Sequence, residues 1–313
     1  PALQHCVNDF FAVQRDFVAR ATTKLNREPE AARASKLRMM LARVRLLAAE
    51  VQVLPQVDRP TQALETLAGF EDDYPGEQNL DGRVWHVRLL AYERLGQLDE
   101  ATRAIPAYIA ADPDNAGATL QSLYASLAVD AERCQAEGDT ISAQRTAEVA
   151  LVLAQQIHEW AARPDNGSDA TDRRALTVQL AEANLRAGRY ERARELFEPL
   201  VTSDASSLSP ETESDLRVVF GHAEALFQLG EYASGLPEFA RLATRLPPTD
   251  PIRWKSLLRD LQCRTALDHP PQGVIKVIQQ QKYLYPDLGG PVLAAQFEKL
   301  QRENKRRADE SRS

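Results

Sequence analysis

The feature that most limits how this chain can fold is a glycine set between two amphipathic runs, in the stretch Arg174 to Ser207. Leu176, Leu180, Ala183 and Ala187 recur every three or four residues and so share one helix face. Gly188 then interrupts the pattern, and glycine adopts cheaply the left-handed conformation that ends helices. A second run, Tyr190, Ala193, Leu196, Phe197 and Leu200, begins two residues later. So short a gap makes the two helices antiparallel neighbours. Ala193 falls where they approach most closely, and a larger side chain there would push the backbones apart.

Looser copies of this unit stand on both sides. Gly82 to Asn115 carries Trp85, Ala91, Tyr92, Gly96, Ala101 and a closing Asp112-Pro113. Leu216 to Thr249 carries Ala225, Gly230, Tyr232, Phe239 and Pro247, with Gly235 in place of the alanine. Three fainter copies complete the set. Val44 to Pro75 runs through Ala63, Leu67 and Phe70 and has no glycine at its corner. Tyr124 to Ile157 runs through Ala131, Gly138, Ala143 and Ala150 without aromatics. Trp254 to Pro286 keeps Val274 and Ile278 but stretches its corner to Leu267-Asp268-His269-Pro270-Pro271.

A small residue, a corner glycine, then tyrosine, alanine and phenylalanine at these offsets resemble the tetratricopeptide repeat. The resemblance implies an all-α, right-handed superhelical solenoid of about six irregular helical hairpins with capping helices at both ends. Gly96, Gly138, Gly188 and Gly230 lie 42, 50 and 42 residues apart, against about 34 in regular repeats. The excess must sit in longer helices or in loops. The expected organisation is a capping helix over 1–35, a repeat domain over 36–287, and a capping helix with a polar disordered tail over 288–313.

At the start, Leu3, Val7, Phe10, Phe17, Ala21 and Leu25 line one face of a helix from Ala2 to Asn26. It reads either as a cap on the open end of the stack or, through Phe10, Phe11 and Phe17, as a docking or dimerisation helix. Leu37, Leu41, Val44, Leu47, Val51 and Leu54 mark the next helix, ending before Pro55, and its partner should run from Thr61 or Asp58 to Phe70. The loop Arg163 to Asp169 lacks the alternating ligands of a calcium loop and reads as turn chemistry with a helix N-cap. Its Asn166-Gly167-Ser168 matches a glycosylation acceptor, a pattern too short to weigh. Thr202 to Pro210 is a serine-rich loop, and Ser209-Pro210-Glu211-Thr212 reads as a helix start. Val292, Leu293, Ala295, Phe297 and Leu300 should cover the last hairpin, with residues from Glu303 onward fraying.

Composition narrows function. A net charge of −7 and a pI near 5.4 oppose nucleic-acid binding, which needs a basic stripe. No apolar run approaches the roughly 20 residues of a membrane span. The chain begins at Pro1 without methionine, the mark of a processed or excised end; a cytoplasmic or, after signal removal, periplasmic or secreted location both fit. Cys6, Cys134 and Cys263 are too far apart for a metal pair and read as buried free thiols. Only seven of 38 basic residues are lysine, a trait of genome composition rather than of function.

Catalytic signatures are missing: no phosphate loop, no G-x-G-x-x-G, no H-E-x-x-H and no G-x-S-x-G. The five histidines are scattered, and His222-Ala223-Glu224 is not followed by the P-C-x-x-C of zinc deaminases. No cofactor and no metal are expected. What remains is a surface. In the family, the first helix of each hairpin lines a concave groove. Carried over by register, the groove would present Arg83, His86 and Leu90, then Gln179, Glu182 and Arg186, then Arg217, Phe220, Glu224 and Phe227. Phe220 and Phe227, seven apart, lie on one side of their helix and either fill space between repeats or anchor a peptide side chain. The lysine and asparagine set with which some members clamp a terminal carboxylate is absent. The resemblance thus implies a non-catalytic scaffold or adaptor that binds a protein or peptide, with homo-oligomerisation through the end helices open. The alternatives are a structural or regulatory arm of a larger envelope-associated assembly, or a helical carbohydrate-active enzyme whose acids converge from distant repeats.

Overall fold

A computed structural model describes residues 2–27, 31–163, 170–202 and 213–310. Two compact units divide the chain, Pro1–Ala161 and Ala162–Ser313. In the first lie α1 (Ala2–Leu25), α2 (Ala31–Gln52), α3 (Pro60–Leu67), a one-turn α4 (Phe70–Asp73), α5 (Asp81–Arg94), α6 (Leu98–Ala111), α7 (Pro113–Glu137) and α8 (Thr140–Ala161). In the second lie α9 (Ala170–Arg186), α10 (Tyr190–Thr202), α11 (Glu213–Gln228), α12 (Tyr232–Arg245), α13 (Pro251–Ala266), α14 (Pro271–Leu284) and α15 (Pro291–Glu310). Among the described residues there is no strand, and no helix is long and apolar enough to cross a membrane.

Within each unit, each hairpin packs on itself and on the next. The pairs α2–α3, α5–α6, α7–α8, α9–α10, α11–α12 and α13–α14 touch, and so do the joints α3–α5, α6–α7, α10–α11 and α12–α13. First helices also meet across hairpins: α2 with α5, α9 with α11, α11 with α13, and α13 with α15. Within each unit this serial packing is that of an all-α helical repeat solenoid, in which each element is supported by its chain neighbours.

The corners turn on positive φ. Gly96, Gly138, Gly188 and Gly230 sit at φ of 64°, 83°, 73° and 79°. The two corners without glycine use Asp58 at φ 50° and Asp268 at φ 56°. Aspartate is one of the few side chains that tolerate this region, because it can bond to local backbone. The irregular glycine spacing is explained in part by helix length. α5 and α6 have 14 residues each, whereas α7 has 25 and α8 has 22. Some of the remaining excess falls in 164–169 and 203–212, outside the described residues.

Ala193 and Phe197 are fully buried in the α9–α10–α11 core with Val178, Ala181, Val218 and Ala225. The equivalent core of the first hairpins is Ala42, Leu46, Ala63, Leu67, Phe70, Val84 and Ala91. α1 lies against α2, where Val7 and Phe11 bury themselves on Ala48. Phe11 is therefore occupied in packing against α2 and is not an exposed side chain.

Several expectations are corrected. The apolar face of α2 is not the expected stripe, since Leu47 and Leu54 are 44 % and 46 % exposed. α2 is gripped on two sides, by α1 through Ala48 and by α3 and α5 through Ala42, Leu46, Ala49 and Val53. The second helix of that hairpin stops at Leu67, and Gly69 at φ 67° re-aims the chain into the separate turn Phe70–Asp73. Of the three free thiols only Cys263 is buried; Cys134 is half-buried and Cys6 is exposed on α1. Val292 and Ala295 face outward, and α15 is held by Phe297 and Leu300 instead. Nor does the helix fray at Glu303. It continues to Glu310 because Asn304 and Ala308 are buried, with Asn304 donating to Thr265 of α13 at 3.1 Å. The calcium-like and glycosylation patterns of 164–169, the serine-rich loop and the Ser209–Thr212 helix start lie outside the described residues, as do residues 311–313.

Gly221 of α11 shows how close the helices come. A Cβ there would stand 2.4 Å from Phe197 Cζ of α10, well inside van der Waals contact. Gly221→Ala is expected to lower unfolding free energy by about 1–3 kcal/mol, the usual cost of overpacking. Urea denaturation would show it, and adding Phe197→Leu should recover part of the loss.

Candidate partner-binding wall

The first helices α9, α11, α13 and α15 form one wall of the second unit, and polar clamps bridge each step. Arg217 of α11 grips both carboxylate oxygens of Glu182 on α9, through Nε at 2.7 Å and through Nη2. Arg259 of α13 does the same to Glu224 of α11, at 2.7 and 2.6 Å. At the next step Arg307 of α15 donates to Asp268 at 2.7 Å, beside the Asn304–Thr265 bond. Arg259 also stacks over Phe227, 4.3 Å from the ring centroid, so one guanidinium ties a carboxylate to an aromatic face.

In the first unit, Arg83 of α5 holds Glu50 of α2 with two bonds, at 2.9 and 2.8 Å. Ser126 of α7 then donates to Glu93 of α5 at 2.7 Å. Below this surface Tyr108 donates to Thr119 at 2.8 Å, and Thr119 lies 3.3 Å from Nδ1 of His86. Burial pushes the His86 pKa below its usual value, against the opposing pull of Glu50 and Asp112.

The spacing identifies these contacts as repeats of one position. The clamps join residues 33 apart in the first unit and 35 apart at the first two steps of the second, while the step to α15 spans 39. The spacings of 33 and 35 lie beside the family period of about 34. The chain therefore keeps a near-regular step along its first helices while its corner glycines drift.

Placed on this frame, Arg83, Glu182, Arg217 and Glu224 are the clamp residues themselves. Arg186 stands 3.9 Å from Glu182 on the same helix, and Gln179 is half-buried one turn before it. Phe220 packs edge-on to Phe239 with centroids 6.0 Å apart. Phe227 meets Tyr232 at 5.4 Å and Phe239 at 6.4 Å. Leu90 packs against the first core. Reasoning from sequence missed the opposite halves of the clamps, Glu50 and Arg259, and also Glu93, Ser126 and Arg307. For Glu50 and Arg259 the signal present was an acid followed by an arginine 33 or 35 residues later; Glu93, Ser126 and Arg307 carried no such signal.

A depression of about 330 Å³ opens at the corner edge of the second wall. Phe227, Tyr232, Ala266 and Leu300 give its apolar lining, and Gln262, Thr265, Asp268, Glu303 and Arg307 its polar one. It has room for one or two side chains of a ligand, with amide, hydroxyl, guanidinium and carboxylate groups among its walls.

The clamps are unequal in energy. The Glu224 side chain is 11 % exposed, whereas Arg83 is 54 % exposed. Glu224→Ala strands a partly buried guanidinium and should cost about 2–3 kcal/mol in urea denaturation. Arg83→Ala should cost less than about 1 kcal/mol. Acid is expected to weaken both units. Burial lowers the pKa of His86 and of His222 from the usual 6.5, although Glu198, Glu238 and Glu231 oppose this at His222 and Arg194 adds to it. Below pH 6.5 the unfolded chain takes up these protons first, so stability present above that pH is lost as pH falls through the lowered folded values. The thermal midpoint should drop on acidification, and less steeply in His86→Asn/His222→Asn.

No family model matches the chain, and no curated protein matches it. Among solved structures, a Podosopora anserina putative kinesin light chain with nearly identical TPR-like repeats is 21 % identical, with TM-score 0.38, over 64 % of this chain and 92 % of that one. A tetratricopeptide repeat protein from Parabacteroides merdae ATCC 43184 is 14 % identical, with TM-score 0.35, over 93 % of this chain and 98 % of that one. At these scores the likeness carries no argument, and the description of serial helical hairpins stands on the helix packing.

Proposed function

We propose that the chain is a non-catalytic scaffold or adaptor that holds a segment of a protein partner against the wall of first helices. The observation that carries this reading is the depression on the second wall, set among side chains already immobilised by clamps between hairpins. A surface whose polar groups are held in place loses little further entropy when a ligand arrives. Phe227 supplies part of the apolar floor, which suits an aliphatic or aromatic anchor, and Arg307 and Gln262 suit the polar backbone around it. Phe220, turned onto Phe239, supports the floor from behind.

Affinity capture from the native source, with cross-linking and mass spectrometry, tests this with two variants. Ala266→Trp fills the depression from an exposed position at the end of α13. Glu182→Arg/Arg186→Glu/Arg217→Glu reverses the charges displayed on the wall while keeping every pair opposite in sign. Both should keep the wild-type thermal midpoint. The expected result is a partner recovered by wild type and weakened at least about tenfold (1.4 kcal/mol) by the plug, with a smaller loss for the reversal. Equal recovery by all three proteins would overturn the reading.

A further inference from the structure

The far end of the first unit carries a second, chemically distinct groove. Between α1 and α2 lies a cleft of about 500 Å³, floored by Phe17, Ala21, Leu37 and Met40. Met40 is 39 % exposed there. The rim is Arg20 and Lys24 on α1 with Arg33 and Lys36 on α2, and among the described residues no carboxylate lines the cleft. A shallower depression beside it adds Arg27. Arg20 is engaged by Asp16 on its own helix at 2.5 Å. Among the described residues, no carboxylate comes within ion-pair distance of Lys24 or Lys36.

This concentration of positive charge runs against the rest of the molecule. Between Arg15 and Arg45 nine basic residues stand against three acidic ones, in a chain of net charge −7. Cations brought this close repel one another, and the repulsion is relieved by an anionic ligand. The apolar floor adds a second requirement, since a purely ionic ligand would leave Phe17, Leu37 and Met40 wet. Methionine, flexible and polarizable, suits a surface that must adapt to a guest side chain.

We infer that the α1–α2 cleft is a docking site for an acidic amphipathic helix of a protein partner, with apolar residues seated on Phe17, Leu37 and Met40 and carboxylates paired to Lys24 and Lys36. The spans from Phe17 to Lys24 and from Arg33 to Met40 each cover about 10 Å of helix. Two turns of a guest helix therefore fit, presenting apolar residues at i, i+3 or i+4, and i+7. A concave cleft with basic walls favours a ridge such as a helix over the flat face of an anionic bilayer. The inference goes beyond the wall-binding reading and is independent of it, because it uses other residues at another place on the chain.

Fluorescence anisotropy with the full chain tests it. The probe is a labelled amphipathic peptide of about 18 residues, with leucines on one face and glutamates flanking them. Controls are the same peptide with lysine for glutamate, and a scramble that keeps composition but loses the apolar face. The glutamate probe should bind saturably, weaken with added salt, and bind at least tenfold more weakly to Lys24→Glu/Lys36→Glu. Those positions are exposed, so circular dichroism and the thermal midpoint should match wild type. Met40→Asp should also weaken the probe at least tenfold, which purely ionic attraction would not do. Several results would overturn the inference. They are no binding of the glutamate probe, equal binding of the lysine peptide or the scramble, or indifference to the lysine and Met40 substitutions. Binding of phosphatidylserine–phosphatidylcholine vesicles in place of the peptide, or dimers in light scattering that dissociate in the Lys24→Glu/Lys36→Glu variant, would overturn it too.

Discussion

The structure depends on close approach between successive helices, made possible where side chains are small. Ala193 and Gly221 let α10 sit between α9 and α11, and the ring of Phe197 fills the space that their missing atoms leave. Ala42, Ala63 and Ala91 play the same part around Leu46, Leu67 and Phe70 in the first unit. A hairpin of about 30 residues cannot bury its apolar faces alone, so each gains its core from the next. The energy of the fold is thus distributed along the chain and not concentrated at one centre.

The polar clamps follow from this packing. Once first helices lie side by side, a carboxylate on one and a guanidinium on the next face each other one repeat later. Glu182 with Arg217 and Glu224 with Arg259 are therefore products of register as much as of sequence. Their position has a functional consequence. The charges a ligand would meet on the wall are the same charges that join the hairpins, so the displayed pattern is stiff. Stiffness favours recognition by shape and by fixed polar contacts over recognition by rearrangement.

The two candidate surfaces use contrasting physics. The wall is a field of neutralised pairs with a small mixed depression. The α1–α2 cleft gathers like charges around an apolar floor, and among the described residues no carboxylate comes within ion-pair distance of Lys24 or Lys36.

Much of this architecture was legible in the residues. Glycines at the corners, alanines at the helix seams and a three- to four-residue apolar period state the helices, their antiparallel pairing and their serial order, because each is local chemistry. The asparagine and alanine that hold the end of α15 were hidden in a polar run, since Asn304 and Ala308 become buried only when α13 lies beside them. Leu47 of α2 and Leu54 just beyond its end, expected on one apolar stripe, are exposed for the same reason: a helix gripped from two sides buries more than one stripe. The pairing of Arg83 with Glu50, the turning of Phe220 onto Phe239 and the gathering of cations from α1 and α2 join residues remote in sequence or on separate helices. Periodicity places a side chain on a face; only the tertiary packing decides what that face meets, because the distance between two helices is set by the residues of both.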